Sequence, residues 1–321
     1  MRCLFLIVLV ILLVIVLCIF ASSEKDSSKA EIVSKEDLIF KVEKGQTAKS
    51  ISKALKLRDL ILSSTLFQYS AVYYGLDKTL KPGTYILSLD MSMFEILRKI
   101  AKGDSIKHSV KVRECATSCE LYKLLESHSF LENDIRAAAL PEGIFAPDTY
   151  LVEENTKFSE ILNLMKNRQE DILREAWSDR ADDLPLSSKY ALLTLASIIE
   201  AEAASFAEMP LISSVFKNRL DRGMRLQADP TVMYGQDLGN TTIRKKLSRS
   251  DLKLTDTYNT YRNKGLPPSP ICNPSRIAIQ AAANPIKTEN LFFVLTQSGS
   301  HIFSTNFEDH KKNVLKYHKK N

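Results

Sequence analysis

The segment from Leu192 to Pro230 reads LLTLASIIEAEAASFAEMPLISSVFKNRLDRGMRLQADP. Small and apolar side chains in its first half recur at the spacing of one helix face, at Leu192, Leu195, Ala196, Ile199 and Ala203. Ser187 or Ser188, just after Pro185, is a suitable N-cap for this helix. The pattern therefore predicts a largely buried helix in this part of the chain.

Glu200 lies beside this apolar stripe, and no Lys or Arg is within one helical turn of it. If tertiary packing covers the carboxyl, desolvation raises its pKa, and it can keep a proton near neutral pH and act as an acid. A solvated surface glutamate is the other interpretation of the same pattern, and it suits Glu202 well.

A second helix is predicted from Phe206 to Leu220, with Gly223 as its C-terminal stop. Ser205 and Glu208 have the spacing of a capping box. Pro210 would then lie inside the helix, where it is unfavourable, so the pattern leaves the start of this helix open.

Other elements follow from local patterns in the same way. A helix from Thr47 to Leu55 is predicted with Thr47 as its N-cap. Helices are also predicted from Phe158 to Trp177 and from Arg276 to Ala283, and a hairpin from Leu291 to Phe303 with a Gly-containing loop.

Several multi-residue blocks follow one another along the chain, namely EGIFAPDTY, ASIIEAE, SSVFKNRL, MRLQADPTVMYG, TYNTY, GLPPSPICNP and FFVLTQSGSHIFS. With these blocks in this order, the chain from about Glu142 to its C-terminus resembles the endolytic murein transglycosylases, the MltG or YceG-like family. The chain has Ser269 and Ser275 where this family usually has Gly, and Ala203 where Thr is common. We expect these changes to affect the local loops without touching Glu200.

This resemblance implies a membrane-anchored lytic transglycosylase that acts in cell-wall assembly. Such an enzyme is a carbon–oxygen lyase that cleaves the MurNAc–GlcNAc bond within peptidoglycan strands and leaves 1,6-anhydro-MurNAc ends. Glu200 would be its catalytic acid and base. The expected substrate-binding residues are Gln227, Asp229, Thr231, Tyr234, Tyr258, Asn259, Thr260 and His301. No cofactor is expected, and the sequence contains no cluster of metal ligands.

Within this set, Asn259 is the main candidate for binding an N-acetyl group or for fixing Glu200. If residues 258–261 are extended, Tyr258 and Thr260 share one face. Two other functions remain open. One is a hydrolase of the same bond with a second acid such as Asp229, and the other is a non-catalytic glycan-binding scaffold.

At 321 residues the chain can hold two folded units with real cores, and its predicted strands and helices are those of an α+β protein. We expect an anchor (1–21), a polar tether (22–37), a module (38–105) that resembles the LysM-like domain of the same family, a second strand–turn–helix unit with a connecting region (106–185) and, as the resemblance implies, a catalytic domain (186–321). The net charge of +6 suits an anionic polymer or a membrane surface, and it is too small and too evenly spread to indicate nucleic acid.

The apolar run from Cys3 to Ala21 contains no charged residue and is long enough to cross a bilayer, which needs ~20 residues. A cleaved signal peptide is the competing interpretation. We expect an uncleaved single-pass anchor in the inner membrane, with the bulk of the chain on the periplasmic or extracytoplasmic side, where the family's substrate is found. Peptidoglycan strands and cell-wall synthases are the expected partners.

An internal repeat relates residues 40–47, FKVEKGQT, to residues 110–117, VKVRECAT. Each copy predicts a strand, a turn and the start of a helix. Cys115 occupies the place of Gly45, so the second turn is expected to be built differently. Cys115 and Cys119 are either two free thiols or a disulfide, and the spacing alone does not decide between them.

Overall fold

The computed structural model describes residues 39–136, 140–239 and 247–318. The chain divides into two compact units, Met1–His108 and Ser109–Asn321, and the predicted regions 106–185 and 186–321 lie almost entirely in the second. The predicted anchor and tether, residues 1–37, fall outside the described residues. Within the described ranges, no helix is both long enough and apolar enough to span a bilayer.

The N-terminal unit is a small α+β fold whose two strands pair antiparallel, with Phe40 opposite Tyr85. Both of these aromatic side chains are buried in its core. Its elements in chain order are β1 (Ile39–Val42), α1 (Ala48–Leu57), α2 (Ser64–Tyr73), β2 (Gly83–Ile86) and α3 (Met93–Lys102). Thr47 caps α1 as predicted, whereas α2 has no counterpart among the predicted elements. The likeness to a LysM domain stays a prediction.

The positive charge of the protein is concentrated in this N-terminal unit. Residues 39–108 contain twelve Lys and Arg against six Asp and Glu, a net charge of +6, which equals that of the whole chain. The expectation of an even distribution is therefore wrong. A local excess of this kind favours contact with an anionic surface or polymer.

The first part of the second unit contains short strands around one helix. These elements are β3 (His108–Lys111), α4 (Ser118–Glu126), β4 (Leu131–Glu132), β5 (Thr149–Val152) and β6 (Thr156–Lys157). Strand β3 pairs with β5, and β4 pairs parallel with β6. Val110, Leu121 and Phe158 belong to the hydrophobic cluster beneath these elements.

The rest of the second unit is mainly helical. Its elements are α5 (Phe158–Ser178), α6 (Lys189–Glu202), α7 (Met209–Asp221), α8 (Asp229–Asp237), α9 (Arg276–Ala283), β7 (Phe292–Leu295), β8 (His301–Ser304) and α10 (Phe307–His318). Helices α5, α7, α8 and α9 all contact α6. Strands β7 and β8 form the predicted antiparallel hairpin. Helix α6 is thus the buried centre of this unit.

Helix α7 starts later than predicted, and the start explains the position of its proline. Residues Phe206–Glu208 form a short 3-10 turn, and Pro210 lies in the first turn of α7, where a missing N–H costs no helical hydrogen bond. Ser205 makes no capping hydrogen bond, so the predicted capping box is absent. Glu208 instead contacts His301.

The two repeated turns have the same backbone form. Gly45 and Cys115 both have positive φ, +87° and +52°. Each turn is closed by the same kind of backbone bond, from Gln46 N–H to Glu43 O and from Ala116 N–H to Arg113 O. The expectation that the second turn is built differently is wrong, because Cys115 adopts the left-handed conformation that usually favours glycine.

Candidate active site

Helix α6 carries Glu200 at the point where the helix leaves the core. Ser188 caps its start by accepting the Ala191 N–H at 3.1 Å, as one of the two predicted caps. Every residue from Leu192 to Ile199 is buried, whereas Glu200 is partly exposed. The helix therefore fixes the backbone of Glu200 rigidly and presents its carboxyl at the edge of the core.

The Glu200 carboxyl is held through one of its two oxygens. Oε2 accepts the backbone N–H of Ser275 at 2.9 Å and the Ser275 hydroxyl at 2.5 Å. Burial raises the pKa of Glu200, the two bonds from Ser275 lower it, and the nearby Glu114 carboxylate raises it, so that the pKa lies above its ordinary value. Glu200 is therefore a carboxyl that retains its proton more readily than a solvated glutamate.

Ser275 links Glu200 to the start of helix α9. It is the N-cap of α9, and its Oγ accepts the Ala278 N–H at 3.2 Å while its hydroxyl hydrogen is directed to Glu200. The expectation that the change from Gly to Ser at this position does not touch the proposed acid is wrong. The signal that could have shown this was the N-cap preference of Ser before an apolar helix.

Hydrogen bonds attach the segment from Ile271 to Ser275 to the rest of the unit at several residues. The Ile271 N–H donates to Ser197 Oγ at 3.1 Å, one turn before Glu200. Gln169 Nε2 donates to Pro274 O at 3.0 Å and also to Gly143 O at 3.0 Å. This segment positions Ser275 precisely enough to hold a single carboxylate oxygen.

Cys272 and Asn273 join this segment to the turn that contains Glu114. Cys272 forms a disulfide with Cys115, 157 residues earlier, and Cys119 is free. The Cys115–Cys119 disulfide left open by the sequence is therefore excluded. Asn273 donates its backbone N–H and its side-chain amide to Ala116 O, at 3.0 and 2.9 Å, and accepts the Cys115 N–H. Glu114 is thereby held on the same side of the unit as Ser275.

Glu202, at the end of α6, lies in a different environment from Glu200. Burial of its carboxyl raises its pKa to about 8, and the adjacent Asp229 contributes to this rise, while Arg219 and the Asp229 N–H oppose it. Glu202 is therefore partly covered, as Glu200 is, and is not the fully solvated surface residue that the pattern suggested. The Asp229 N–H at the start of α8 acts on the Glu202 carboxyl, and α8 packs against α6.

The predicted binding residues from Gln227 to Thr260 are brought together around α8. Asp229 accepts the Tyr261 hydroxyl at 2.6 Å. The buried hydroxyls of Thr231 and Thr260 are 2.9 Å apart, and Thr260 also accepts the Ala228 N–H. The two threonines therefore use their hydroxyls inside the protein, whereas Gln227 and Asp229 are exposed.

Tyr234 and Tyr258 form an aromatic pair beside this cluster. Their ring centroids are 4.9 Å apart, and the Tyr258 hydroxyl lies 2.7 Å from Ser269 Oγ. Tyr234 is buried, and its burial raises its pKa well above the usual value. The partly exposed Tyr258 is the ring of the two that has more surface for stacking on a sugar.

Residues 257–261 form a turn and not the extended segment that was expected. The buried Asn259 donates to Leu252 O and Leu254 O and accepts the Tyr261 N–H. Asn259 therefore organises its own loop, and the contact to Glu200 that was considered for it is made by Ser275.

His301 lies at the start of β8 and faces the 3-10 turn before α7. Its Nδ1 is 2.8 Å from Glu208 Oε2, and its N–H donates to Glu208 Oε1 at 2.8 Å. Burial by itself would raise the pKa of Glu208, but the bonds from His301 outweigh it and lower that pKa. His301 thus connects the C-terminal hairpin to the segment after Glu202.

Glu142, in the EGIFAPDTY block, was missed as an ionisable site residue. Its Oε1 accepts the Ser118 N–H at the start of α4 at 2.9 Å, and its Oε2 is buried without a hydrogen-bond partner in the described part of the chain. Burial raises the pKa of Glu142 to about 7. The glutamate was visible in the sequence, but its burial depends on contacts between distant segments.

Two further observations concern alternatives to this site. The described ranges contain no group of three or more His, Cys, Asp or Glu side chains placed to hold a metal ion. A cavity of about 430 Å³ lies in the N-terminal unit, beside Tyr74, Phe94 and Arg98, and none of the predicted site residues lines it. Neither observation offers an alternative to Glu200, which lies in the ASIIEAE block and is the candidate acid.

Two known proteins are similar to this chain along most of its length. The endolytic murein transglycosylase of Bacillus subtilis strain 168 is 28% identical over 315 residues, covering 88% of this chain and 86% of that protein. The endolytic murein transglycosylase of Streptococcus pneumoniae serotype 2 strain D39 is also 28% identical, over 328 residues. That alignment covers 88% of this chain, which spans 59% of the streptococcal protein.

A crystal structure of a YceG-like protein from Listeria monocytogenes has a similar fold. The match has a TM-score of 0.53 and 26% sequence identity, and it covers 86% of this chain and 98% of that one. The model of the YceG-like family matches residues 40–316, which include both units and every candidate site residue. The chain therefore belongs to the YceG-like family.

Proposed function

We propose that this protein is an endolytic peptidoglycan lytic transglycosylase that cleaves the MurNAc–GlcNAc bond within glycan strands. The observation that carries the proposal is the state of Glu200. It is a partly buried carboxyl with a raised pKa, held by one oxygen at the edge of the core. Two relatives that align along most of this chain are named endolytic murein transglycosylases, which supports the same reaction.

The reaction needs one group that first gives and then takes a proton. Protonated Glu200 donates its proton to the glycosidic oxygen as the bond to C1 of MurNAc breaks, and the GlcNAc hydroxyl leaves. The 2-acetamido group of MurNAc stabilises the positive charge that develops at C1. The Glu200 carboxylate then accepts the proton of the MurNAc C6 hydroxyl while the C6 oxygen attacks C1. This attack closes the 1,6-anhydro ring and leaves Glu200 protonated again.

A single carboxyl suffices for this cycle because the nucleophile comes from the substrate. Glycosidases that use water generally need a second carboxylate to activate it or to attack C1. Among the described residues, the charged group that acts on Glu200 is Glu114, whereas Asp229 acts on Glu202. This arrangement favours the transglycosylase over a hydrolase with Asp229 as its second acid.

The expected binding surface contains Gln227, Asp229 and Tyr258, together with the loop organised by Asn259, and the His301 side chain supports it from below through its contact with Glu208. Thr231, Tyr234 and Thr260 support this surface from inside.

We further propose that residues 1–21 anchor the protein in the membrane, that its bulk is extracytoplasmic, and that it acts with cell-wall synthases. The charge of the N-terminal unit supports contact with an anionic surface or polymer.

The test is to digest purified sacculi with the wild-type protein and with Glu200→Gln, and to analyse the products by mass spectrometry. We expect 1,6-anhydro ends from the wild type and a loss of at least ~100-fold in rate for Glu200→Gln, because general acid–base catalysis contributes ~100- to 10,000-fold. Glu126→Gln, an exposed glutamate in α4, is the matched control and should cleave normally.

Each other outcome identifies a different function. Reducing ends in place of anhydro ends would indicate a hydrolase, and Asp229→Asn would then be the variant to test. Binding of sacculi by the wild type without new chain ends would indicate a scaffold. Cleavage by Glu200→Gln at the wild-type rate would refute the assignment of the acid.

A further inference from the structure

We propose that Ser275 is a positioning residue that fixes Oε2 of Glu200 and leaves Oε1 to carry the proton that is transferred. This inference rests on the proposed function, and it assigns separate roles to the two oxygens of the acid.

The hydrogen bonds of Ser275 determine these roles. A serine hydroxyl has one hydrogen and can accept through its lone pairs. Ser275 Oγ accepts the Ala278 N–H, and its hydrogen goes to Glu200 Oε2 at 2.5 Å. The Ser275 N–H goes to the same oxygen at 2.9 Å. Because Oε2 accepts two hydrogens, the proton of the neutral carboxyl belongs on Oε1.

Oε1 is also the oxygen that a substrate can reach. It makes no hydrogen bond within the described ranges, and it is not among their buried unpaired atoms. Glu200 is partly exposed, so this oxygen faces the surface of the unit. A glycosidic oxygen that approaches the surface would therefore meet Oε1.

The position of Ser275 is over-determined, as a positioning role requires. Its backbone is fixed by the bonds of Ile271, Pro274 and Asn273 and by the disulfide of Cys272. It also lies at the positive end of α9, where a carboxylate is stabilised by the helix dipole. Helix α9 packs directly on α6.

Glu114 raises the pKa of the Glu200 carboxyl, which is the opposite of the effect of Ser275. It is exposed on the turn that the Cys115–Cys272 disulfide attaches to the Ser275 segment. The neighbouring Arg113 does not neutralise it, because the Arg113 guanidinium pairs with Glu120 at 2.5 Å. Ser275 lowers the pKa of Glu200 and Glu114 raises it.

The other charged groups on the elements around α6 have different partners. Arg276 on α9 pairs with Glu175 on α5 at 2.7 Å. Arg219 on α7 and Asp229 on α8 act on Glu202. The protonation of Glu200 is thus governed by its burial, by Ser275 and by Glu114.

The test measures pH profiles of glycan cleavage for Ser275→Ala, Ser275→Gly and Glu114→Gln, with thermal melts of each. Cleavage needs protonated Glu200, so kcat/KM falls as the pH rises through the pKa of Glu200. This fall is the alkaline limb of the pH profile. Loss of the Ser275 hydroxyl should move this alkaline limb to higher pH and lower kcat roughly tenfold with little change in KM. Glu114→Gln should move the limb to lower pH.

Two controls separate positioning from a purely structural role. Ser275→Thr keeps the hydroxyl and should restore the wild-type kcat and pH profile. Glu126→Gln removes a distant exposed carboxylate and should leave the limb unchanged. If Ser275→Ala lowers only the melting temperature, with kcat and limb as in the wild type, the inference is wrong.

Failure of the proposed function gives a different result. Cleavage by Glu200→Gln at the wild-type rate overturns the assignment of the acid and this inference together, and reducing ends from the wild type overturn the proposed reaction. An inactive Glu200→Gln beside Ser275 variants with wild-type kcat and pH profile overturns the inference alone.

Discussion

The turns at residues 43–46 and 113–116 have the same backbone geometry but different surroundings. The space beside Gly45 is open, whereas Cys115, at the matching place, is bonded to Cys272 and backbone-bonded to Asn273. Lys44 precedes the first left-handed residue, and Glu114 precedes the second. The comparison shows that a local motif fixes the shape of a turn, while distant side chains decide whether it belongs to a site.

The largest difference between the two turns should be in stability. Replacing both Cys115 and Cys272 by Ser removes a link that closes 157 residues of chain, and should cost about 3–5 kcal/mol in the free energy of unfolding. Urea unfolding of the oxidised full chain measures this loss. Cys119→Ser is the control and should unfold like the wild type, since Cys119 is free. Equal midpoints for the double variant and the wild type would contradict the assigned link.

A second difference is the buried carboxyl at the helix that follows the Cys115 turn. Glu142 has a pKa of about 7 in the folded protein against an ordinary value of 4.5. As the pH rises from 4.5 to about 7, the unfolded chain ionises while the folded one keeps its proton, so stability falls across this range. The fall is about 3 kcal/mol and levels off above it.

Glu142→Gln should remove this fall and still accept the Ser118 N–H through its carbonyl oxygen. The variant is therefore expected to be more stable than the wild type at pH 8 and little changed at pH 4. Urea unfolding at several pH values measures both, with Glu126→Gln as the control. A pH dependence equal to that of the wild type would show that the carboxyl ionises freely.

The smallest expected effect concerns the first turn. Gly45→Ala places a Cβ in open space, so only the left-handed backbone opposes it, and the cost should be about 1 kcal/mol. Lys49→Ala, at an exposed position in α1, is the control and should change stability by less than about 0.5 kcal/mol. Unchanged stability in Gly45→Ala would mean that this turn does not depend on a left-handed residue, and the two turns would then not be equivalent.

Local sequence signals predicted much of the fold. The caps Thr47 and Ser188, helix α5, helix α9 and the C-terminal hairpin follow from spacing and capping, which depend on neighbouring residues. The turn at residues 257–261 was missed because Asn259 stabilises it by bonds to Leu252 and Leu254, which no periodic pattern reports.

The site was predicted only in part, for the same reason. The sequence placed Glu200 on a buried helix, but Ser275 is 75 residues away and Cys272 is 157 residues from its partner. Glu202 and Glu142 look like surface residues in the sequence, because burial of a charged side chain is decided by packing between distant segments. A family resemblance located the blocks without showing which of them touch.

The long-range bonds of Asn273 bear on how the protein acquires its activity during synthesis. Asn273 is hydrogen-bonded to both Ala116 and Phe145, and Ser275, two residues further on, donates its hydroxyl hydrogen to Glu200. A nascent chain that has reached residue 270 already possesses α6 with its glutamate, yet lacks every partner that orients the acid. An enzyme able to cut the cell wall would thus remain harmless until translation of about its last sixth is under way.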